Sequence, residues 1–342
     1  MISVNRIGKH TIVFKKHPKV ISCASVAGPK EGRGPLASCF DEITNSPEYG
    51  QSSYEAAEQQ MILKAAQTCL DKGNVPPQQV QAMLGGDLLN QIISTSFTAR
   101  QMDIPFLGLY GACSTMAESL LLGAIMTDGH YAAPVLCTAA SHYCTAERQF
   151  RYPLEYGNQR TPAAQWTVTA AGACLLGYGT GMSSITYGTI GKVVDLGVTD
   201  ANNMGAAMAP AAADTLFHHF CDTGRTPNDY DHIFTGDLGM IGSQLLKKLM
   251  QEKAFPLSDD TYQDCGLMIY DPKDDVHAGA SGCGCSAAVL SAHILPRLQS
   301  GEWKRVLFMA TGALMSTVSS QQGESIPGIA HAIVLEHIEK EQ

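Results

Sequence analysis

Hydrophobic and polar positions along the chain follow two alternating periods. Residues 20–26 form an apolar run of strand length, whereas apolar positions between residues 54 and 70 recur at helical spacing and stop before Gly73. Further runs of strand length lie at 80–84, 106–110 and 134–139, and further helical patterns lie at 91–102 and 114–127, the last closed by Gly129. Such alternation is typical of parallel β-α-β units and not of a β-sandwich. The first half of the chain therefore predicts a layered α/β fold.

The second half of the chain repeats this order of elements. An apolar run leads into Gly236-Asp237-Leu238, just as an earlier one leads into Gly86-Asp87-Leu88. The pattern then predicts a helix over 240–250, a strand over 265–270, a helix that opens at Cys283-Gly284-Cys285-Ser286 and a strand over 306–310. The same 16 positions separate Cys113 from Gly129 and Cys285 from Gly301. A shared tripeptide, a glycine-closed helix and a following strand, all in one order, indicate an internal duplication.

This duplication predicts two related halves, residues 1–184 and 185–342, around a pseudo-twofold axis. The helices that follow Cys113 and Cys285 are apolar on nearly all sides, which is typical of helices buried in an interior. Two such helices packed back to back aim their N-termini at a common point. We therefore expect the turns that carry Cys113 and Cys283 to meet in one pocket.

The composition agrees with a large buried core and excludes several function classes. Of the 342 residues, 45% are hydrophobic and 16% are charged, which is too apolar for a disordered chain. The net charge of −9 and the absence of a Lys/Arg cluster argue against nucleic-acid binding. No apolar stretch approaches the ~20 residues that span a bilayer, and the N-terminal residues lack the features of a signal peptide. We expect a soluble intracellular protein without a transmembrane segment.

Eleven cysteines are scattered along the chain. Their number is odd, and no pair has zinc-ligand spacing that a second pair matches. Many of them lie inside apolar runs. Buried free thiols in a reducing compartment, without a metal site, are the prediction.

Cys113 differs from the other cysteines in its position. Gly111-Ala112-Cys113-Ser114 lies at the junction between a predicted strand and a long predicted helix. A thiol there meets the positive end of the helix dipole and free backbone N–H groups, which lower its pKa and can cradle the oxyanion of an acyl intermediate. The alternative is one more small buried residue, as for most cysteines. The position of the turn favours a functional site at Cys113.

The duplicated pattern with this turn resembles the thiolase superfamily, close to its ketoacyl-ACP synthase III branch, over nearly the whole chain. A closer likeness is to the stage V sporulation protein AD family of spore-forming bacteria. The stretches that carry it are Ala27-Gly28-Pro29-Lys30-Glu31, residues 86–91, Gly111-Ala112-Cys113-Ser114-Thr115, residues 145–153, residues 207–214 and Ser281-Gly282-Cys283. The resemblance implies the thiolase fold, in which two βαβαβαββ halves form five layers, α-β-α-β-α.

The same resemblance implies a function. It implies binding of dipicolinate, the pyridine dicarboxylate that spores store as its calcium salt, and a part in dipicolinate import during sporulation. It also implies a cytoplasmic or forespore location, peripheral on the spore inner membrane, with other membrane proteins of the same transport complex as partners. A homodimer is expected because thiolase relatives typically form one. No cofactor is expected. The ligand dipicolinate would bind either alone or together with calcium.

The chain departs from condensing enzymes of the superfamily at their catalytic partners. Those enzymes pair the cysteine with a His and with an Asn or a second His, where this chain has Gly236-Asp237-Leu238 and Ser281-Gly282-Cys283. An anionic Asp237 cannot donate to a thioester oxyanion, and it would raise the pKa of a nearby thiol. Without a general base, nucleophilic catalysis loses its usual partner. We therefore expect no catalytic residue, although a thiolase-like role of Cys283 or Cys285 as acid and base is an alternative.

A flat aromatic dianion needs N–H groups, hydroxyls and apolar walls. The helix turn offers N–H groups, and Ser141 and His142 follow a strand at the end where α/β proteins hold ligands, although His142 has an alternative reading as an ordinary loop residue. Asp87 and Asp237 either cap helices or meet a protonated ligand or its calcium. The predicted ligand-binding set is Asp87, Gln91, Cys113, Ser141, His142, Asp237, Leu238, Gly282 and Cys283.

Residues 142–166 form a long polar and aromatic stretch that contains Arg148, Arg151 and Arg160. Long loops inside a compact domain are usually functional or form interfaces. The arginines either pair with acids at a dimer contact, which we favour, or contact the ligand directly.

Two other functions compete with dipicolinate binding. One is a cysteine-dependent acyltransferase or condensing enzyme that acts on coenzyme A or carrier-protein thioesters, and the other is a structural partner with a vestigial pocket. A basic patch for a carrier protein or for the adenosine phosphates would favour the enzyme, and the acidic net charge does not support it.

Overall fold

The computed structural model describes residues 5–150 and 160–339. The strands are β1 (Arg6–Ile7), β2 (Thr11–Val13), β3 (Lys19–Ala27), β4 (Glu42–Ile43), β5 (Ala82–Gly86), β6 (Phe106–Gly108), β7 (Val135–Ser141), β8 (Trp166–Thr167), β9 (Ala170–Gly177), β10 (Ser183–Thr189), β11 (His232–Thr235), β12 (Tyr262–Asp264), β13 (Ala280–Ser281), β14 (Arg305–Ala313) and β15 (Gly328–Glu336). The helices are α1 (Tyr54–Gly73), α2 (Ile93–Met102), α3 (Thr115–Asp128), α4 (Tyr143–Phe150), α5 (Met204–Thr223), α6 (Gly239–Glu252), α7 (Cys283–Val289), α8 (Leu295–Ser300) and α9 (Thr317–Gln321). A π-helical segment, Leu290–Ile294, joins α7 to α8.

The order of the strands confirms the predicted duplication. The main sheet runs β12-β11-β14-β15-β10-β3-β9-β7-β5-β6. Outward from the centre, the first half has the order β3, β9, β7, β5, β6, and the second half has the order β10, β15, β14, β11, β12. In both halves the first strand of the half is innermost, and the last, fourth, second and third of these five strands follow it outward. The two halves meet where β3 and β10 pair antiparallel through two residues each. Each half is therefore a βαβαβαββ unit.

Helices separate and cover the two half-sheets. Helices α1 and α2 contact strands of the first half only, whereas α5 and α6 lie on the side of the second half. Between the halves, α3 contacts β5 and β7 of one half and β14 and β15 of the other, and α7 packs beside it. Three buried apolar clusters fill the spaces between these layers. This is the predicted five-layered α-β-α-β-α arrangement of the thiolase fold.

Most strands and helices lie close to their predicted positions because the apolar period follows burial. Helix α3 ends at Asp128 with Gly129 as its C-cap, and Ser53 accepts the N–H of Ala56 at the start of α1. Strand β10 begins at Ser183, so the predicted boundary at 184/185 falls inside this strand. Helix α4 occupies the start of the stretch 142–166, which was predicted to be a loop.

The predicted strand at 265–270 is wrong. The strand is β12, and Cys265–Leu267 form a 3₁₀ turn that follows it. Tyr262 and Asp264 are polar, yet both are buried and hydrogen-bonded, since Thr235 donates to the Asp264 carboxylate at 2.6 Å and the Tyr262 hydroxyl contacts Ser243 at 3.0 Å. Buried polar residues whose hydrogen bonds are satisfied can form a strand without an apolar pattern. The apolar pattern of the neighbouring turn therefore predicted the strand at the wrong place.

The described ranges contain no helix that is long and apolar enough to cross a membrane.

Candidate functional site

The turn that carries Cys113 lies at the centre of the molecule. Ala112, Cys113 and Ser114 form a 3₁₀ turn that leads directly into α3, and all three are buried. Gly312 of β14 packs against this turn so closely that a Cβ there would lie 2.3 Å from the Gly111 carbonyl oxygen. Glycine is therefore required at position 312 for the second half-sheet to support the turn.

The second turn, at Gly282 before α7, meets the first one as predicted. The Gly282 N–H donates to Asp237 Oδ2 at 2.9 Å, and a backbone hydrogen bond from Gly282 also acts on the Cys113 thiol. Gly282 has φ +102°, and a Cβ there would lie 2.6 Å from Ser141 Oγ. Only glycine combines this positive φ with so close an approach.

Both turns open onto one cleft, which encloses about 660 Å³ of space not filled by atoms, its mouth included. Its walls are mostly apolar, with a few polar groups among them. The lining residues are Leu88, Tyr110, Ala112, Cys113, Ala146, Glu147, Phe150, Thr167, Ala201, Asn202, Met204, Ser281, Gly282, Ala313 and Met315.

Burial dominates the electrostatics of Cys113. It raises the pKa of the thiol well above its ordinary value, and the charges of Asp237 and Cys283 raise it further. The Gly282 N–H acts in the opposite direction with a smaller effect. The expectation that the Cys113 pKa is lowered is therefore wrong, because desolvation of the thiolate and the charge of Asp237 raise it.

Asp237 is the acidic partner at the floor of the site. Its side chain is fully buried and accepts hydrogen bonds from the Thr311 hydroxyl at 2.9 Å and the Gly282 N–H at 2.9 Å. Burial raises its pKa to about 7, against the lowering effect of these hydrogen bonds and of the Cys113 thiol. Near neutral pH this carboxyl is therefore divided between its charged and its neutral form.

Asp87 caps a helix, one of the two roles that the sequence left open. Its carboxylate accepts the backbone N–H of Leu89 at 2.9 Å, the N–H of Thr95 at 2.8 Å and the Thr95 hydroxyl at 2.7 Å. The side chain is fully buried and is not among the groups that line the cleft. These three bonds hold the turn between β5 and α2.

Ser141 ends β7 and His142 follows it, close to the predicted place, yet both side chains are engaged in backbone contacts. Ser141 donates to the Val168 carbonyl at 2.7 Å and accepts the Gly284 N–H at 3.1 Å. His142 Nε2 lies 2.8 Å from the Pro47 carbonyl oxygen, and Nδ1 accepts the Cys144 N–H at 3.2 Å. Burial lowers the pKa of His142. Ser141 supports the Gly282 turn from behind, and neither residue lines the cleft.

The remaining predicted residues lie around the cleft and not in it. Leu238 is buried, and its N–H donates to Asp264 at 2.9 Å. The Cys283 thiol donates to the Ala140 carbonyl at 2.8 Å. Gln91 lines a separate groove beside Arg148. Of the nine predicted residues, the structure brings Cys113 and Gly282 to the cleft surface, with Asp237 bonded behind them.

Sequence reasoning missed most of the cleft walls. Tyr110, Glu147, Asn202, Met204, Ala313 and Met315 come from four separate stretches of the chain, and of these only Glu147 lies in a stretch that carried the family resemblance. Tyr110 stood next to the Cys113 turn, and Ala313 ends the strand that the duplication predicted. The sequence could therefore have predicted these two positions as part of the cleft wall.

Two of the three arginines of the stretch 142–166 have partners within the chain. Arg148 pairs with Glu55, and Arg160 donates to the Asp275 carbonyl at 2.9 Å. Arg151 lies outside the described residues. Within residues 5–150 and 160–339 no group of three His, Cys, Asp or Glu side chains is placed to hold a metal ion.

Comparison with protein families places this geometry in a known context. A family profile described as stage V sporulation protein AD matches residues 8–336. The stage V sporulation protein AD of Bacillus subtilis (strain 168) is 46% identical over 329 residues, which cover 96% of this chain and 97% of that protein.

Solved structures with low sequence identity share the fold. Human mitochondrial 3-ketoacyl-CoA thiolase in complex with CoA superposes with a TM-score of 0.62 at 13% identity, over 97% of this chain and 100% of that one. The 3-oxoacyl-[acyl-carrier-protein] synthase III from Aquifex aeolicus VF5 gives a TM-score of 0.57 at 12% identity, over 93% and 99%. Both are enzymes, and at this identity the likeness concerns the fold alone.

Proposed function

The chain belongs to the stage V sporulation protein AD family, and from that premise we propose that its Cys113 cleft binds dipicolinate without catalysis, as part of dipicolinate import during sporulation. The observation that carries this proposal is the pairing of Cys113 with Asp237. A buried thiol with a raised pKa beside a buried carboxyl is a poor nucleophile. The site therefore keeps the geometry of a superfamily nucleophile without its activation.

The cleft walls suit a planar ring with polar substituents. Leu88, Phe150 and Met204 supply apolar surface, and Thr167, Asn202 and Ser281 supply polar groups within the same cleft. In the described part of the chain no Lys or Arg lines it. Neutral donors, among them Thr167, Asn202 and Ser281, therefore have to satisfy the ligand carboxylates.

An acyltransferase or condensing enzyme that uses Cys113 on thioesters is the competing function. The fold of an enzyme superfamily and the position of Cys113 before α3 favour it. Such an enzyme would have to transfer the Cys113 proton to Asp237, whose pKa of about 7 lies far below that of the thiol. This unfavourable proton transfer makes acylation the weaker proposal.

Blocking the cleft is the direct test of the proposed function. Ala201 lines the cleft from a half-exposed turn, so that Ala201→Phe is expected to fill the ligand space and leave the fold intact. We expect dipicolinate affinity to fall at least about tenfold, which corresponds to about 1.4 kcal/mol. Isothermal titration calorimetry, with and without calcium, measures the affinity.

Val193→Phe is the matched control, because Val193 is 55% exposed and does not line the cleft. It should bind dipicolinate like the unchanged protein. Equal binding by Ala201→Phe would contradict the location of the site. Mass spectrometry after incubation with acetyl-CoA completes the test, and an acyl group on Cys113 would favour the competing enzyme.

The location and partners of the protein follow from the same proposal. We place it on the cytoplasmic or forespore side of the spore inner membrane, as a peripheral protein with other membrane proteins of the transport complex as partners. Co-sedimentation with forespore membranes measures this association. A protein that stays in the supernatant would contradict it.

A homodimer is also proposed, through the open edge of the sheet. Strand β6 ends the strand order, and Leu107 on it is 54% exposed, with Tyr110 nearby at 44%. An exposed apolar edge strand is a surface for strand pairing. Leu107→Glu is expected to convert a dimer to a monomer in sedimentation velocity. Val318→Glu, at a position that is 62% exposed, is the control, and a dimeric Leu107→Glu variant would contradict this interface.

A further inference from the structure

A second cleft lies on the other side of the elements that wall the first one. Helix α4 contributes Ala146 and Glu147 to the Cys113 cleft, whereas Tyr143 and Cys144 of the same helix line the second cleft. Strand β8 behaves in the same way, because Thr167 faces the first cleft and Trp166 the second. The second cleft is therefore a separate space, which shares two walls with the first.

Two cations line the second cleft from one short turn. Glu31–Arg33 form a 3₁₀ helix, and Lys30 is the residue that precedes it. Side chains three positions apart eclipse each other in a 3₁₀ helix, so that Lys30 and Arg33 project on the same side. Both belong to the cleft lining, and within the described ranges neither has a carboxylate at ion-pair distance.

The acid between these cations points away from them. Glu31 is 1% exposed, and its carboxylate accepts the Tyr270 hydroxyl and the Thr169 N–H. These internal bonds occupy Glu31 as a structural residue. Asp274 is the acidic group with the largest effect on Lys30, and it lies beyond ion-pair distance. Among the described residues Lys30 is thus left at the cleft without an ion pair, and Arg33 lines the same cleft.

An aromatic wall stands beside the cations. The rings of Tyr143 and Trp166 stack at 4.0 Å with an interplanar angle of 7°. Lys30 Nζ lies 3.6 Å from the centre of the Trp166 ring. A cation over one ring face holds the ammonium in place and leaves its N–H donors available. Pro29 and Pro47 complete the apolar part of the lining.

We infer that this second cleft is an anion-binding site for a small planar aromatic carboxylate, with Lys30 and Arg33 as the carboxylate ligands. Because Tyr143 and Lys30 cover the two faces of the Trp166 ring, the edge of the stacked Tyr143–Trp166 pair is the apolar wall for the ligand ring. Charge-assisted hydrogen bonds of this kind are shorter and stronger than those between neutral groups. The site is separate from the Cys113 cleft, and its existence does not depend on what that cleft binds.

Trp166 reports on this site. The chain has two tryptophans, so that Trp303→Phe leaves Trp166 as the sole indole. The probe is isophthalate, a planar aromatic dicarboxylate, and isophthalamide is its uncharged match. We expect isophthalate to change Trp166 emission saturably and isophthalamide to leave it unchanged. Lys30→Ala with Arg33→Ala should weaken isophthalate binding at least about tenfold, and Arg33→Ala alone, at an exposed position, should weaken it in part.

Two control variants make the result decisive. Lys15→Ala with Lys16→Ala removes the same charge from exposed residues that do not line the cleft and should leave the titration unchanged. Ala201→Phe should also leave it unchanged, whatever it does to dipicolinate binding, because Ala201 lines only the first cleft. No saturable change up to about 10 mM isophthalate, a weak-binding limit, would overturn the inference. So would full binding by the Lys30/Arg33 variant, an equal loss in the Lys15/Lys16 variant, or loss of the signal in Ala201→Phe.

Discussion

Gly282→Ala is expected to lower the free energy of unfolding by about 2–4 kcal/mol and to abolish dipicolinate binding. Two effects add at this position. The backbone has φ +102°, which strains any residue with a Cβ, and that Cβ would lie 2.6 Å from Ser141 Oγ and 3.0 Å from Ser141 Cβ. Ser141 cannot move freely, because Val168 and Gly284 bind its hydroxyl. The turn must then shift and break the Gly282 hydrogen bond to Asp237.

Gly179→Ala separates the two effects. Gly179 has φ +92°, but nothing lies within 4 Å of a Cβ built there. The free energy of unfolding of this variant should therefore fall only by the cost of the positive φ, about 1 kcal/mol. Its ligand binding should be unchanged. Urea unfolding and calorimetry measure both quantities. Equal losses of stability in the two variants would mean that the contact with Ser141 does not constrain the turn.

Asp237→Asn is expected to flatten the dependence of stability on pH. The pKa of Asp237 is raised from 3.8 to about 7 in the folded protein. Between these values the folded state holds a proton that the unfolded state has lost, so that stability falls as the pH rises through this window and is constant above it. Asparagine does not titrate. The variant should match the unchanged protein near pH 4 and gain on the order of 2–4 kcal/mol relative to it at pH 8.

Urea unfolding between pH 4 and pH 8 measures this difference. Asp260→Asn, at an exposed position, is the control and should leave the pH profile unchanged. The Asp237→Asn change also removes a charge that raises the Cys113 pKa, and Cys113 should react faster with iodoacetamide at pH 8. Parallel pH profiles of the Asp237→Asn variant and the unchanged protein would show that Asp237 does not hold its proton to neutral pH.

The same tripeptide acts differently in the two halves. In Gly86-Asp87-Leu88 the carboxylate binds N–H groups of its own segment, at Leu89 and Thr95. In Gly236-Asp237-Leu238 it binds Gly282 and Thr311, and Asp264 takes over the local N–H groups of Leu238 and Gly239. The tripeptide marks the carboxyl end of a strand in both halves. What the carboxylate binds depends on residues far away in sequence.

The sequence by itself determined the fold and the position of the turn that carries Cys113. Apolar periods placed α1, α3, α6 and most strands, because burial against a layer imposes a period on each element locally. The duplicated order of elements predicted the shared strand order of the two halves. The Gly111–Ser114 turn predicted a helix start at the centre of the molecule, where Cys113 lies.

Only the tertiary structure decided the chemistry of the site. Whether Cys113 is activated depends on desolvation, which is the largest cause of its raised pKa, and on Asp237, 124 positions later in the sequence. Ser141, His142 and Cys283 lie near the expected place, but backbone carbonyls of distant segments bind them. Side-chain direction and burial result from packing between segments, which no local pattern encodes. For that reason the sequence located the cleft, and the fold selected the groups that line it.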